Sequence, residues 1–106
     1  AFMGCYAISI CPSEGLESPN VVGAQAANEL LNIIGVKASF VLTDYNGKIF
    51  ISARSIDEVN VQIIMERLGG GGHMNIAGAQ LTGTDLDGAR QKLKEILTQM
   101  TKEGAI

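Results

Sequence analysis

Asn46-Gly47 is the feature that most narrows what this chain can fold into. The pair sits between two runs, residues 38–45 and 48–54, in which apolar and polar side chains alternate. Asn and Gly both tolerate positive φ, so a two-residue turn of the type whose twist matches paired strands forms readily there. The turn sets the register, pairing Tyr45 with Lys48, Val41 with Ser52 and Ser39 with Arg54. Because successive strand residues point to opposite faces, Ala38, Phe40, Leu42, Ile49, Ile51 and Ala53 share one face, which reads as core. Thr43, Ser52 and Arg54 fall on the other, a more polar and potentially open face, with Arg54 at a strand end.

The remaining elements follow from shorter signals. CYAISIC at 5–11 is apolar and partly β-branched and is stopped by Pro12, which predicts a buried strand. Ser18-Pro19 opens a helix, with Ser as cap and Pro at the first position, where its missing N–H matters least. Val22, Ala26, Leu30 and Ile33 give that helix its apolar face, and Gly35 closes it. Asn60 caps a second helix carrying Val61, Ile64, Met65 and Leu68. Residues 80–83 read as a short strand, and Thr84-x-x-Asp87 as a capping box for a last helix with Leu86, Ala89, Leu93, either Ile96 or Leu97, and Met100 inward. The order β-α-β-β-α-β-α predicts an α/β fold: a mixed sheet of four or five strands with about three flanking helices.

At 106 residues the chain suits one domain spanning 1–106. Its 46% hydrophobic and 18% charged content argues for a packed globule. A net charge of −3 with scattered basic residues argues against a long nucleic acid as ligand, because gripping a polymer backbone takes clustered Lys and Arg. Any phosphate recognition must then be local. Cys5 and Cys11 lack metal or CxxC spacing and read as buried, reduced thiols. No stretch is long enough to span a bilayer or shaped as a signal peptide, so no membrane contact by this domain is expected. The absent initiator methionine suggests a piece of a larger protein.

Gly69-Gly70-Gly71-Gly72-His73 is the main chemical candidate. Four consecutive glycines lose much backbone entropy on folding, which a sequence tolerates where amides must approach something closely. Such amides can form an anion-binding nest, and His73 adds a side-chain donor. A helical turn over 74–77 would point its positive end at the same anion. The plainer reading is a helix stop and an ordinary loop around a surface His. The run is neither a phosphate-binding P-loop nor a dinucleotide fingerprint, since it lacks Gly-Lys-Ser/Thr and follows a helix. Arg54-Ser55 is the second candidate, a planar fork with a neighbouring hydroxyl. Against it stands a solvated arginine paired with Asp57 or Glu58. With one His, no carboxylate pair and no nucleophile triad standing out, no catalytic residue and no metal ligand set is expected in the chain.

Taken together, Ser52-Ala53-Arg54-Ser55, Asn60-Val61 and Gly69-Gly70-Gly71-Gly72-His73, with small residues through Ala79, resemble the DHH-associated domain. This is the C-terminal half of the DHH phosphoesterases, which include RecJ-type exonucleases, nanoRNases and cyclic-di-AMP phosphodiesterases. VQIIMERLGGGGHMNIAGAQ at 61–80 is most similar to the GdpP (YybT) group, which cleaves cyclic di-AMP to a linear dinucleotide. The resemblance implies a substrate-binding role for Arg54, Ser55, Gly70, Gly71, Gly72 and His73. Asn60 is carried over with them, although capping a helix explains it fully. It further implies a preceding DHH domain, not in this chain, that holds two manganese ions, so the chain alone is expected to be inactive. The implied ligand is cyclic di-AMP or a short linear dinucleotide. The implied location is cytoplasmic, on a parent that is membrane-anchored. Two alternatives remain: a 3′-end exonuclease domain for short oligonucleotides, and a stand-alone nucleic-acid-binding module.

Overall fold

Asn46 (φ 52°) and Gly47 (φ 76°) both adopt the left-handed conformation that an Asn-Gly hairpin turn requires. The computed structural model describes residues 2–10, 19–33 and 35–106. Its elements are β1 (Phe2–Met3), β2 (Tyr6–Ile10), α1 (Pro19–Leu30), β3 (Ala38–Tyr45), β4 (Lys48–Ser55), α2 (Val61–Glu66), β5 (Gly71–His73), β6 (Ile76–Thr82) and α3 (Leu86–Glu103). The strands form one six-stranded sheet in the order β1-β2-β3-β4-β6-β5. Among the described strands only β2 and β3 pair in parallel. The predicted α/β class with a mixed sheet and three helices is what the chain forms, enlarged by two short edge strands.

The β3–β4 register is the one the turn dictates, with Tyr45 opposite Lys48, Val41 opposite Ser52 and Ser39 opposite Arg54. The predicted core face is buried throughout: Phe40, Leu42, Ile49, Ile51 and Ala53 pack with Val61, Ile64 and Met65 of α2 and Leu93, Leu97 and Met100 of α3. Fully burying a side chain of this kind contributes roughly 1.5–3 kcal/mol. These aliphatic contacts therefore fix which face of the sheet turns inward.

On the other face lies α1, and here two expectations need correction. Among its described side chains the buried positions are Gly23 and Ala27, whereas Ala26 and Leu30 are half-buried and Ile33 lies beyond the helix and is 43% exposed. The side chain of Val22 lies outside the described residues. Polar groups dictate the choice: the Ser39 hydroxyl donates to the Ala27 carbonyl at 2.6 Å. A Cβ on Gly23 would stand 2.8 Å from the Ser52 hydroxyl, so a larger residue there would make that side chain shift. The helix also ends at Leu30, several residues before Gly35, and the chain leaves through tight i→i−3 turns over 31–33. The expected Ser18 cap, the stop at Pro12 and Cys11 lie outside the described residues. Cys5 is a free, half-buried thiol in the turn before β2 and not inside the strand.

The last helix starts one residue later than its capping-box pattern suggests. Asp85 is the cap, accepting a 2.7 Å bond from the Gly88 amide, and Asp87 instead meets Arg90 at 2.9 Å. Asp is a stronger cap than Thr, so of the two adjacent candidates Asp85 takes the position.

Candidate functional site

Strand register brings the motif residues together. Arg54 faces Ile76 across β4–β6, and His73 faces Ile76 across β5–β6. One row across the sheet therefore reads Ser39, Arg54, Ile76, His73. The next row on the same face reads Ser52, Gly78, Gly71. Whereas α1 lies over β3 and β4, the β6–β5 end of this face is open: Ile76 is 54% exposed, and His73 and Gln80 are exposed as well. The result is a cavity of about 640 Å³ bordered by Arg54, Gly70, Gly71, Gly72 and His73, with Ser52, Phe50 and Gln80 on its floor.

The glycine run is a strand and not a helix-led nest. Gly71–His73 is extended, and Met74 and Asn75 form the tight turn into β6, replacing the helical turn expected over 74–77. Extended amides point alternately to the two sides, so they do not converge on one anion, and no helix dipole is added. Because β5 ends the sheet, part of its backbone has no strand partner and stays available.

Close packing explains two of the four glycines. A Cβ on Gly70 would overlap the Gly78 carbonyl and lie 2.7 Å from the Ala79 Cα. One on Gly72 (φ 145°) would lie 2.5 Å from the Ile76 carbonyl oxygen. Gly71 is different: a Cβ there meets nothing within 4 Å. It faces the cavity and has no packing reason to be glycine.

Arg54 is half-buried and its Nη1 donates to the Ala53 carbonyl at 2.9 Å. Burial pushes its pKa below the ordinary arginine value, and an arginine remains charged regardless. Glu58, the expected competitor, instead pairs with Lys37 at 3.3 Å. Among the described residues no carboxylate lies within ion-pair distance of Arg54, so its guanidinium faces the cavity uncompensated.

Ser55 and Asn60 are not brought to this cavity. Ser55 follows Arg54 in the strand and so points to the other side, where its Oγ donates to the Val59 carbonyl at 2.6 Å and accepts from Asn75 Nδ2 at 2.9 Å. Asn60 Oδ1 accepts from the Gln62 and Ile63 amides at 2.9 and 3.3 Å, the helix cap foreseen for it. It borders a separate, mostly apolar recess with Tyr6, Val59 and Ile63. The residue that sequence reasoning missed is Asn75. Its carbonyl takes the Ser55 amide at 3.0 Å while the Met74 carbonyl takes the Val61 amide at 2.8 Å, so the hairpin turn is pinned to β4 and α2.

Another cavity, about 620 Å³, opens at the far end of β4 beside the Asn46-Gly47 turn. Asp44, Asp85 and Asp87 line it with Lys48, a charge balance that repels phosphate. Among the described residues no three His, Cys, Asp or Glu side chains could hold a metal ion, and no helix is long and apolar enough to cross a membrane.

Residues 5–99 match the family model of the DHHA1 domain. The chain belongs to the DHHA1 family. As a DHHA1 domain it is 51% identical over 78 residues to the cyclic-di-AMP phosphodiesterase GdpP of Geobacillus thermodenitrificans, covering 73% of this chain and 12% of that protein. It is 47% identical over 81 residues to the cyclic-di-AMP phosphodiesterase PdeA of Listeria monocytogenes, covering 76% and 12%. The chain thus spans about an eighth of the length of these relatives. Among solved structures, an exopolyphosphatase-related protein from Bacteroides fragilis shares the DHHA1 fold, with a TM-score of 0.71 at 20% identity over 92% of this chain and 28% of that one.

Proposed function

We propose that this domain is the substrate-binding lobe of a phosphodiesterase acting on a cyclic dinucleotide, with cyclic di-AMP the favoured substrate. The observation that carries the proposal is the uncompensated Arg54 guanidinium, set in one row with His73 beside the glycine strand. A forked cation in a half-enclosed cavity suits a phosphodiester, which offers two charged oxygens to a bidentate donor. His73 supplies a second donor from the facing strand, and the glycines keep the rim low enough for a substrate to lie against backbone. The similarity to GdpP and PdeA supports the cyclic dinucleotide as the substrate class.

Bond cleavage belongs elsewhere in this reading. Among the described residues no cluster of side chains fits the manganese that the family implies. Metal chemistry is assigned to the DHH domain that precedes such a domain in GdpP-like proteins, and the present residues bind and orient. The same reading places the domain on the cytoplasmic side of a membrane-anchored parent.

Joined to its DHH domain and supplied with manganese, the protein should hydrolyse cyclic di-AMP. Arg54→Ala and His73→Ala should each lower kcat/KM by about a hundredfold, the usual effect of removing a charge-stabilising donor. Unchanged kcat/KM in both variants would sink the assignment. Running cyclic di-AMP, the linear dinucleotide and a longer oligonucleotide side by side separates this substrate class from a 3′-end exonuclease.

A further inference from the structure

We infer that the open shelf also carries a nucleobase subsite, formed by Phe50 and Gln80, at the end of the cavity away from Arg54. The inference rests on the phosphate reading of Arg54 and His73 and extends it to the rest of the nucleotide.

Phe50 and Gln80 are directly paired across β4–β6, four residues along each strand from the Arg54–Ile76 pair. Even spacing puts both pairs on one face, about 13 Å apart at the usual rise per residue. The row between them, Ser52, Gly78 and Gly71, carries one hydroxyl and two glycines. A phosphate held at Arg54 therefore leaves a sugar over a flat strip, with a donor and acceptor at Ser52, and brings a base to Phe50 and Gln80. Both residues line the same cavity as Arg54 and His73.

The two side chains are chemically suited to a base. Phe50 is half-buried, which leaves part of its ring accessible. An aromatic ring on such a shelf gives a base a surface to stack on. Gln80 is exposed, and its side-chain amide makes no hydrogen bond to another described residue. An amide offers a donor beside an acceptor, complementary to the N7 and amino edge of adenine, whereas guanine shows two acceptors on that edge. The pair thus favours adenine over guanine.

Titrating the chain with AMP, GMP and ribose 5-phosphate, followed by NMR, tests this. AMP should bind about tenfold more tightly than ribose 5-phosphate, since base stacking and one bidentate contact each exceed that free energy in the upper part of their ranges. Gln80→Leu and Phe50→Leu should each reduce the AMP-to-ribose-5-phosphate affinity ratio by about fivefold or more. The preference for AMP over GMP should disappear in Gln80→Leu. Equal binding of AMP and ribose 5-phosphate, or a ratio that neither variant moves, overturns the subsite while leaving the phosphate reading intact. GMP bound as tightly as AMP overturns the role of Gln80. Gln80 is exposed, so its variant does not depend on repacking. If ribose 5-phosphate binding is absent, or survives Arg54→Ala, the phosphate reading itself falls and the subsite falls with it.

Discussion

Gly70 and Gly71 are neighbours of the same type with different reasons to be glycine. Gly70 lies against the β6 backbone, where any Cβ meets the Gly78 carbonyl and the Ala79 Cα. Backbone cannot move aside as a flexible side chain does, so Gly70→Ala should destabilise the fold by about 1–3 kcal/mol or more. Gly71 meets open space, and Gly71→Ala should change stability by less than about 1 kcal/mol, because a less flexible unfolded chain offsets small native-state costs. Thermal melting of the two variants checks the ordering, and equal losses would contradict it. The sequence showed that the run was unusual but could not apportion it, since the apportioning depends on which residue of β6 lies beneath each glycine. Arg54 and His73 were legible because the hairpin register and the motif name them directly. Asn75 was not, because its partner Ser55 is 20 residues away in sequence and meets it only once the hairpin has formed.

Among the elements, the sequence concealed the short edge strand β1, β5 and the first half of β6, residues 80–83 alone having signalled a strand. Residues 69–72 and 77–79 are all glycine or alanine, which carry no alternating pattern, and the turn between β5 and β6, Met74-Asn75, lacks the glycine that marks the turn at Asn46-Gly47. What holds it is tertiary. The Ser55 and Val61 amides reach the two turn carbonyls, and the Asn75 amide group reaches Ser55 Oγ. The Arg54–Ser55 pair is thereby split between two tasks: Arg54 faces the cavity, and Ser55 anchors the strand that presents His73. Asn75→Ala should cost about 1–2 kcal/mol, the usual effect of leaving a partly buried hydroxyl short of a partner. It should also weaken ribose 5-phosphate binding, although Asn75 does not border the cavity. Denaturant unfolding together with the titration reads both effects. A stability loss with no change in affinity would show that His73 is placed without the turn. By contrast most of α2 was readable, since its Asn60 cap and Val61, Ile64, Met65 spacing are local, although the helix ends at Glu66 and Leu68 is buried beyond it.

For the whole molecule, the decisive asymmetry is that one face of the sheet is sealed by aliphatic packing while the other is covered over only part of its width. The sealed face was predictable because alternation in β3 and β4 states it outright. How far α1 reaches across the other face was not, because that depends on Gly23 and Ala27 settling over Ser39 and Ser52. The shelf left open is narrow, and its basic side chains are Arg54 and His73. That number bounds how the domain can meet nucleic acid. Each phosphate neutralised on a single strand contributes about −0.7 to the slope of log affinity against log salt. A shelf that engages one or two phosphates should therefore give a slope no steeper than about −1.4. Fluorescence anisotropy with a labelled oligonucleotide, repeated across salt concentrations, measures it directly. A slope several times steeper would mean that charges outside the shelf take part, favouring a module that tracks a polymer backbone. A shallow slope with binding that depends on Arg54 places recognition in a site the size of one nucleotide, in keeping with the net charge of −3.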